Sequence, residues 1–285
     1  MHKDCFQCDY KQVSKISEFL SIDQSIEEEL NKKVKTYLEH CDMTKTNPEI
    51  MADIWKIIAI TIQNNNPYKE IKSYYNHFLL SLLPEIKEYI HDDLSLALKV
   101  AIAANLIDFS AKDKISKQDI TDILFSAKDL RLSIDDSKEL FQTIEKSQTL
   151  LYLGDNCGEI VLDKLFLTML KNKYRHLHIY YGVRGYPIVN DITLEDADEV
   201  NMHEVAKVIS NGDGSLGTVL SRCEQSFQNL FHQVDIVVCK GQGNYEGLMG
   251  CSKENLFFLF MSKCQLVAKL SKTNILDIVC MKNNT

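Results

Sequence analysis

The hydrophobic pattern of this chain changes character near residue 148. Before it, from about residue 11, apolar side chains recur at helical spacing. Ile16, Phe19 and Leu20 share one face; Ala52, Trp55, Ile58, Ala59 and Ile62 share another. Phe78, Leu79, Leu82 and Leu83 form a third that ends at Pro84, and Ile86, Tyr89 and Ile90 follow. Glycines are sparse here, and Pro48, Pro67 and Pro84 sit where helices start or break. Residues 112–146 are charged and amphipathic, with Ile120, Ile123, Leu124 and Ala127 on one side. Residues 94–106 are almost wholly apolar, with small residues at Ala97, Ala101 and Ala104 that permit close packing. They predict a buried helix ending at Asn105-Leu106-Ile107-Asp108-Phe109, where Asn105 and Asp108 also serve as ordinary turn formers.

After residue 148 short β-forming runs alternate with helical ones. Strands are predicted at 149–153, 176–183, 206–210 and 234–239, with helices near 159–173, 193–204 and 217–232. A last strand is expected at 275–279, with a frayed end at 281–285. Such alternation predicts a mostly parallel sheet with helices on its faces, an α/β fold. The chain therefore divides into a helical N-terminal region, 1–147, and an α/β domain, 148–285.

Each predicted strand ends in a polar loop, and strand C-termini in open α/β sheets are where ligands bind. The first loop, Gly154-Asp155-Asn156-Cys157-Gly158-Glu159, packs two carboxylates and an amide into five residues. Asp155 or Asn156 can act there simply as a helix cap, with Glu159 complementing the helix dipole. The later loops make a second reading available. Asp155, Asn156 and Asp191 can supply three oxygen ligands to one hard divalent cation, leaving positions for water and substrate oxygen. Lys240 and Lys263 can act as point charges on a phosphate, and the Gly-rich turns 211–217 and 241–247 can donate backbone N–H groups. Cation, lysines and N–H donors at one edge are what phosphoryl transfer requires.

Composition narrows the options. The 285 residues are 45% hydrophobic and 25% charged, as in ordinary globular proteins. No run of about 18 apolar residues occurs, so no membrane span is expected. A net charge of -8 argues against a nucleic-acid or membrane surface, so an anionic ligand must be met locally. The nine cysteines follow no disulfide framework and no apolar signal core opens the chain, which together predict reduced thiols and a cytoplasmic location. Cys5-Phe6-Gln7-Cys8 is a lone CxxC with no second ligand pair for zinc, so it reads as structural or incidental thiols. The first turn does not read GxGxxG, no Walker A sequence occurs, and residues 155–159 hold too little glycine for an S-adenosylmethionine loop.

Three motifs together resemble the damage-control phosphatase family, in its stand-alone prokaryotic branch with an N-terminal CxxC. They are Gly154-Asp155-Asn156-Cys157-Gly158-Glu159, then Val183-Arg184-Gly185-Tyr186-Pro187-Ile188-Val189-Asn190-Asp191-Ile192-Thr193, then Lys240-Gly241-Gln242-Gly243-Asn244-Tyr245-Glu246-Gly247-Leu248. The resemblance extends to Cys5–Cys8 and Asn105–Phe109, nearly the whole chain. It implies a helical region packed on a Rossmann-like α/β/α domain. It also implies metal-dependent hydrolysis of small phosphometabolites, such as sugar phosphates or damaged phosphorylated metabolites, with one divalent ion: Mn, Mg, Co or Ni. By resemblance Asp155, Asn156 and Asp191 hold the metal and, with Lys240, carry catalysis. Glu159 contacts substrate, the loop with Gly241, Gly243, Asn244, Tyr245 and Glu246 binds substrate and phosphate, and Lys263 meets phosphate. Asn105, Asp108, Arg184 and Asp213 complete the expected substrate contacts. The third loop, Asn211-Gly212-Asp213-Gly214-Ser215-Leu216-Gly217, lacks the family's usual proline. A non-catalytic phosphometabolite-binding protein on the same scaffold is the alternative, and a carboxyl methyltransferase a weaker one.

Overall fold

A computed structural model describes residues 3–107 and 116–283; Asp108 lies outside them. The chain opens with helices α1 (Lys3–Leu20), α2 (Gln24–His40), α3 (Asn47–Thr61), α4 (Lys69–Ile90) and α5 (Leu94–Ala103). A 3₁₀ turn, Ala104–Leu106, extends α5, and α6 (Lys117–Phe125) follows. Pro84 does not end its helix as the spacing predicted: α4 runs through it to Ile90. The side chain of Pro84 is exposed, so the ring stands on the solvent side of the helix.

The rest is β1 (Ile134–Asp135), α7 (Ser137–Lys146), β2 (Thr149–Leu153), α8 (Glu159–Lys173), β3 (His178–Val183), α9 (Leu194–Glu199), β4 (Lys207–Ser210), α10 (Gln225–Gln233), β5 (Ile236–Lys240), α11 (Gly241–Leu248), β6 (Leu256–Met261), α12 (Gln265–Ser271) and β7 (Ile278–Lys282). The sheet runs β1-β7-β6-β5-β2-β3-β4, and every pairing is parallel except β6 with β7. This is the α/β architecture with a mostly parallel sheet that the alternation predicted. β1 precedes residue 148 yet pairs with β7. The stretch 281–285, expected to fray, begins inside β7.

Strand residues alternate between two cores, as the two-residue period of a strand requires. Leu150, Tyr152, Ile236, Val238, Phe257 and Leu259 face a core shared with α5, α8 and the helical region. Leu151, Leu153, Val237, Cys239, Phe258 and Phe260 face a second core closed by Phe227 and Phe231 of α10, Leu248 of α11 and Val267 of α12. All six residues of β6 are buried, so its sequence is a continuous apolar run with no alternation to mark it as a strand. Strand order reverses between β2 and β5, which neighbour each other at the centre. The crevice at such a reversal is where open α/β sheets take ligands.

Candidate active site

At the C-terminal end of β2, Gly154 is confined by its neighbour: a Cβ there would stand 2.4 Å from the Tyr181 hydroxyl oxygen. The loop it opens is laced to the loop after β3. Ile192 N–H donates to the Asp155 carbonyl (3.0 Å) and Cys157 N–H to the Asn190 carbonyl (2.9 Å), and Asn156 and Asp191 form an isolated β-bridge. Two segments whose aspartates, 155 and 191, lie 36 residues apart in sequence are thereby joined through their backbones. α11 begins against the same point: a Cβ on Gly241, whose φ is +76°, would fall 1.9 Å from Asp155 Oδ2.

Asp155, Glu159, Asp163 and Asp191 are all buried here, with two buried cations, Arg184 and Lys240, among them. Asn156 Nδ2 bridges Asp155 Oδ2 and Glu159 Oε1 (both 2.7 Å). Asn105 Nδ2, from the 3₁₀ turn after α5, bridges the same two carboxylates at 3.0 and 3.1 Å. Glu159 is fully buried, and its other oxygen accepts from Lys240 Nζ (2.9 Å). Its carboxylate is thus spent inside the protein rather than presented to a substrate. Burial, then the charges of Glu159 and Asp191, push the Asp155 carboxyl up to about 8, against Lys263 and Arg184. Burial also raises Asp191, opposed by Arg184.

Lys240 does not project over the sheet edge, as the sequence reading expected. Its three donors go to the Ala101 carbonyl of α5 (2.8 Å), Glu159 (2.9 Å) and Asp163 (2.9 Å). Burial alone would lower its pKa; Asp163 and Glu159 outweigh that and raise it. The cause of its inward turn is Asp163, four residues after Glu159 on the same face of α8. That carboxylate also accepts from the Tyr152 and Tyr181 hydroxyls at 2.8 and 3.0 Å. Asp163 is a site residue the sequence reading missed, although an acid four positions from Glu159 in a helix with an otherwise apolar inner face was a visible signal.

Arg184 is likewise internal rather than substrate-facing. Its Nε donates to Asp191 Oδ2 (2.7 Å), its other nitrogens to Thr218 Oγ1 and the Gly154 carbonyl (both 3.3 Å), and it stands 3.9 Å from Asp155. Asp213 turns away, pairing with Arg222 (3.1 Å) and accepting from Ser215 N–H (3.1 Å). The Gly-rich stretch 241–247 is a helix, not a loop. In it Gly243 packs against the Leu216 carbonyl, where a Cβ would stand 2.9 Å away. Asn244 Nδ2 ties the Gly154 and Lys240 carbonyls at 3.1 and 2.7 Å, and its Oδ1 has no partner among the described residues. Tyr245 stacks on Phe260 at 4.6 Å, as a core side chain. Glu246 accepts from Gln242 Nε2 (2.6 Å) on the side facing Asp9 of α1. Lys263 is exposed, within electrostatic reach of Asp155.

No three His, Cys, Asp or Glu side chains form a ready metal cage among the described residues. The donor set nonetheless suits a hard divalent ion: two carboxylates and one amide, all oxygen ligands. Four buried carboxylates face two buried cations, a formal excess of two negative charges when all are ionised, which such an ion would balance. The Asn156 amide now turns Nδ2 toward the carboxylates; a cation among them would favour the opposite orientation, with Oδ1 inward.

The chain is similar to the damage-control phosphatase PH1575 of Pyrococcus horikoshii, 30% identical over 98% of this chain and 97% of that one. A damage-control phosphatase of Archaeoglobus fulgidus is 28% identical over 90% of this chain and 88% of that one. The crystal structure of the Pyrococcus horikoshii protein, described as a DUF89 family member, superposes with a TM-score of 0.92 and 28% identity, covering 100% of this chain and 99% of that one. Residues 1–279 match the damage-control phosphatase ARMT1-like domain, and the chain belongs to that family.

Proposed function

We propose that this protein is a metal-dependent phosphomonoesterase acting on small phosphometabolites, sugar phosphates or damaged phosphorylated metabolites among them. The observation that carries the reading is the cluster of four buried carboxylates against two buried cations at the β2–β5 reversal, with Asp155 and Asp191 among them and Asn156 beside them. Family membership supports the phosphatase part of it.

Asp155, Asn156 and Asp191 would hold one divalent ion, Mn, Mg, Co or Ni, which supplies Lewis-acid polarisation of a phosphoryl oxygen. Arg184 and the Gly217 N–H, both on Asp191 Oδ2, oppose the burial that raises this carboxyl and keep it aimed. Asn105 and Lys240, acting through Glu159, fix the Asp155–Asn156 turn from beneath. Lys263, exposed beside Asp155, meets the charge of the phosphate, and N–H groups opening α11 lie on the same side. A preorganised set of this kind stabilises charge that develops on the transferred group.

The test is phosphate release by EDTA-treated protein resupplied with each of the four metals, across p-nitrophenyl phosphate and a panel of sugar phosphates. Release that requires a metal is the expected result. Tight phosphate binding without turnover under every metal would replace the enzyme with the binding protein.

A further inference from the structure

Two residues of α4 reach from the helical region to the loops that carry Asp155 and Asp191. Asn76 is fully buried. Its Oδ1 accepts from Gly158 N–H (2.7 Å), and its Nδ2 donates to Glu199 Oε2 (2.6 Å) at the end of α9. Glu199, a carboxylate, can only accept, so the orientation of the amide is dictated by chemistry. Gly158 sits at φ +82°, ψ −58°, the rare and strained γ conformation, two residues after Asn156 and directly before Glu159. One turn earlier on α4, buried Lys72 forms an ion pair with Asp196, 2.6 Å from its Oδ2. Asp196 in turn caps Thr193, accepting from its N–H (2.8 Å) and hydroxyl (2.7 Å), two residues after Asp191.

The other ties between these loops, the backbone bonds and the Arg184 side chain that reaches the Gly154 carbonyl, all run within the sheet edge. Asn76 is different, because it spans from outside. One side of its amide holds the turn after Asp155 and Asn156; the other holds the helix that follows Asp191. We propose that Asn76 is a positioning residue for the cation-binding carboxylates, setting the separation of the two loops that bear them. The proposal rests on the cation reading given above. It makes the helical region a working part of the site rather than a cover over it, since a shift of α4 moves both loops together.

The test uses Mn²⁺ binding to the EDTA-stripped full-length protein, read by the electron paramagnetic resonance of unbound Mn²⁺, beside kcat and KM for p-nitrophenyl phosphate. Asn76→Ala should weaken Mn²⁺ binding by about 10- to 100-fold, the scale seen when the group orienting a metal ligand is lost. The loss should fall on kcat more than on KM. Asn76→Asp should do at least as much harm, because its carboxylate would face that of Glu199. Pairing Asn76→Asp with Glu199→Gln reverses the polarity of the contact: the new carboxylate accepts from both Gly158 N–H and the new amide. That pair should recover most of the lost Mn²⁺ affinity, and circular dichroism of all variants establishes that the fold is kept. Wild-type Mn²⁺ affinity in Asn76→Ala, or a double variant no better than Asn76→Asp, overturns the positioning role and leaves the phosphatase reading standing. A wild-type protein that binds no Mn²⁺ overturns the cation reading and the positioning role with it.

Discussion

Lys240 Nζ lies 2.9 Å from Glu159 Oε2, and both side chains are fully buried. A residue at the end of a central strand thus points back into the protein and acts on the site through a carboxylate. Removing one partner of a buried, hydrogen-bonded ion pair leaves an uncompensated charge, at a cost of about 3–5 kcal/mol. Lys240→Met should therefore lower stability in urea by about that amount, because Glu159 and Asp163 both lose their cation. A solvated lysine at a strand end would change the midpoint hardly at all, and an unchanged midpoint would refute the buried placement.

Asp155 and Asp191 should part ways when truncated. Either Asp155→Ala or Asp191→Ala should abolish metal-dependent hydrolysis. Asp155 is crowded by the charges of Glu159 and Asp191, whereas Asp191 holds Arg184 at 2.7 Å. In mildly alkaline buffer with EDTA, Asp155→Ala relieves repulsion and should be at least as stable as wild type. Asp191→Ala strands a buried guanidinium and should lose about 3 kcal/mol. Denaturation of the two metal-free variants side by side decides this; equal losses would mean that the site is not electrostatically frustrated at Asp155.

The α/β alternation and the clustering of Asp155, Asn156 and Asp191 were legible because both rest on local signals: apolar period, turn residues, strand ends. The direction of a side chain was not. Lys240 reads as an outward lysine until Asp163 is placed beneath it, and Arg184 as a substrate contact until the β3 loop folds Asp191 onto it. Stretch 241–247 reads as a loop by its glycines, yet Gly241 and Gly243 serve close approach to Asp155 and Leu216 inside a helix. Lys72 and Asn76 carried no signal at all, since a polar residue on an amphipathic helix shows its partner only once α9 lies against it.

The CxxC should be dispensable for hydrolysis. Cys5 and Cys8 lie on α1, and burial, then the charge of Asp9, raises the Cys8 thiol above its ordinary value, away from the thiolate. Cys5→Ser with Cys8→Ser should keep wild-type kcat/KM under reducing conditions. Loss of activity together with loss of bound zinc would reveal a structural metal instead.

Asp9 gives a pH dependence with a definite sign. It is buried on α1, within electrostatic reach of Glu246 of α11, and burial, then the charge of Glu246, pushes its carboxyl from 3.8 up to about 7. A folded-state value above the unfolded one means that the stability contribution is full below the unfolded value. It is then lost as pH rises through about 7. Asp9→Asn removes this group from the balance. The variant should gain on wild type as pH rises from about 4 to about 7, and hold a constant advantage above that. Melting temperatures of both proteins across this range test it; parallel curves would show that Asp9 ionises without cost.

Gly241 offers the sharpest steric test of how α11 meets the site. Its φ of +76° already disfavours any side chain, and a Cβ would lie 1.9 Å from Asp155 Oδ2, well inside contact distance. The carboxylate cannot retreat freely, because Asn105 and Asn156 hold it at 3.0 and 2.7 Å. Gly241→Ala must therefore displace either Asp155 or the first turn of α11. The first movement displaces a proposed cation ligand and the second the backbone packed against it, so kcat/KM should fall by about 10²-fold, a displacement of the order of 1 Å being enough for that. Gly250, with φ +95° and nothing within 4 Å of a Cβ, is the control for backbone strain alone. Gly250→Ala should cost a little stability and leave kcat/KM unchanged. If the two variants lose activity equally, the close approach of α11 to Asp155 plays no part in the chemistry.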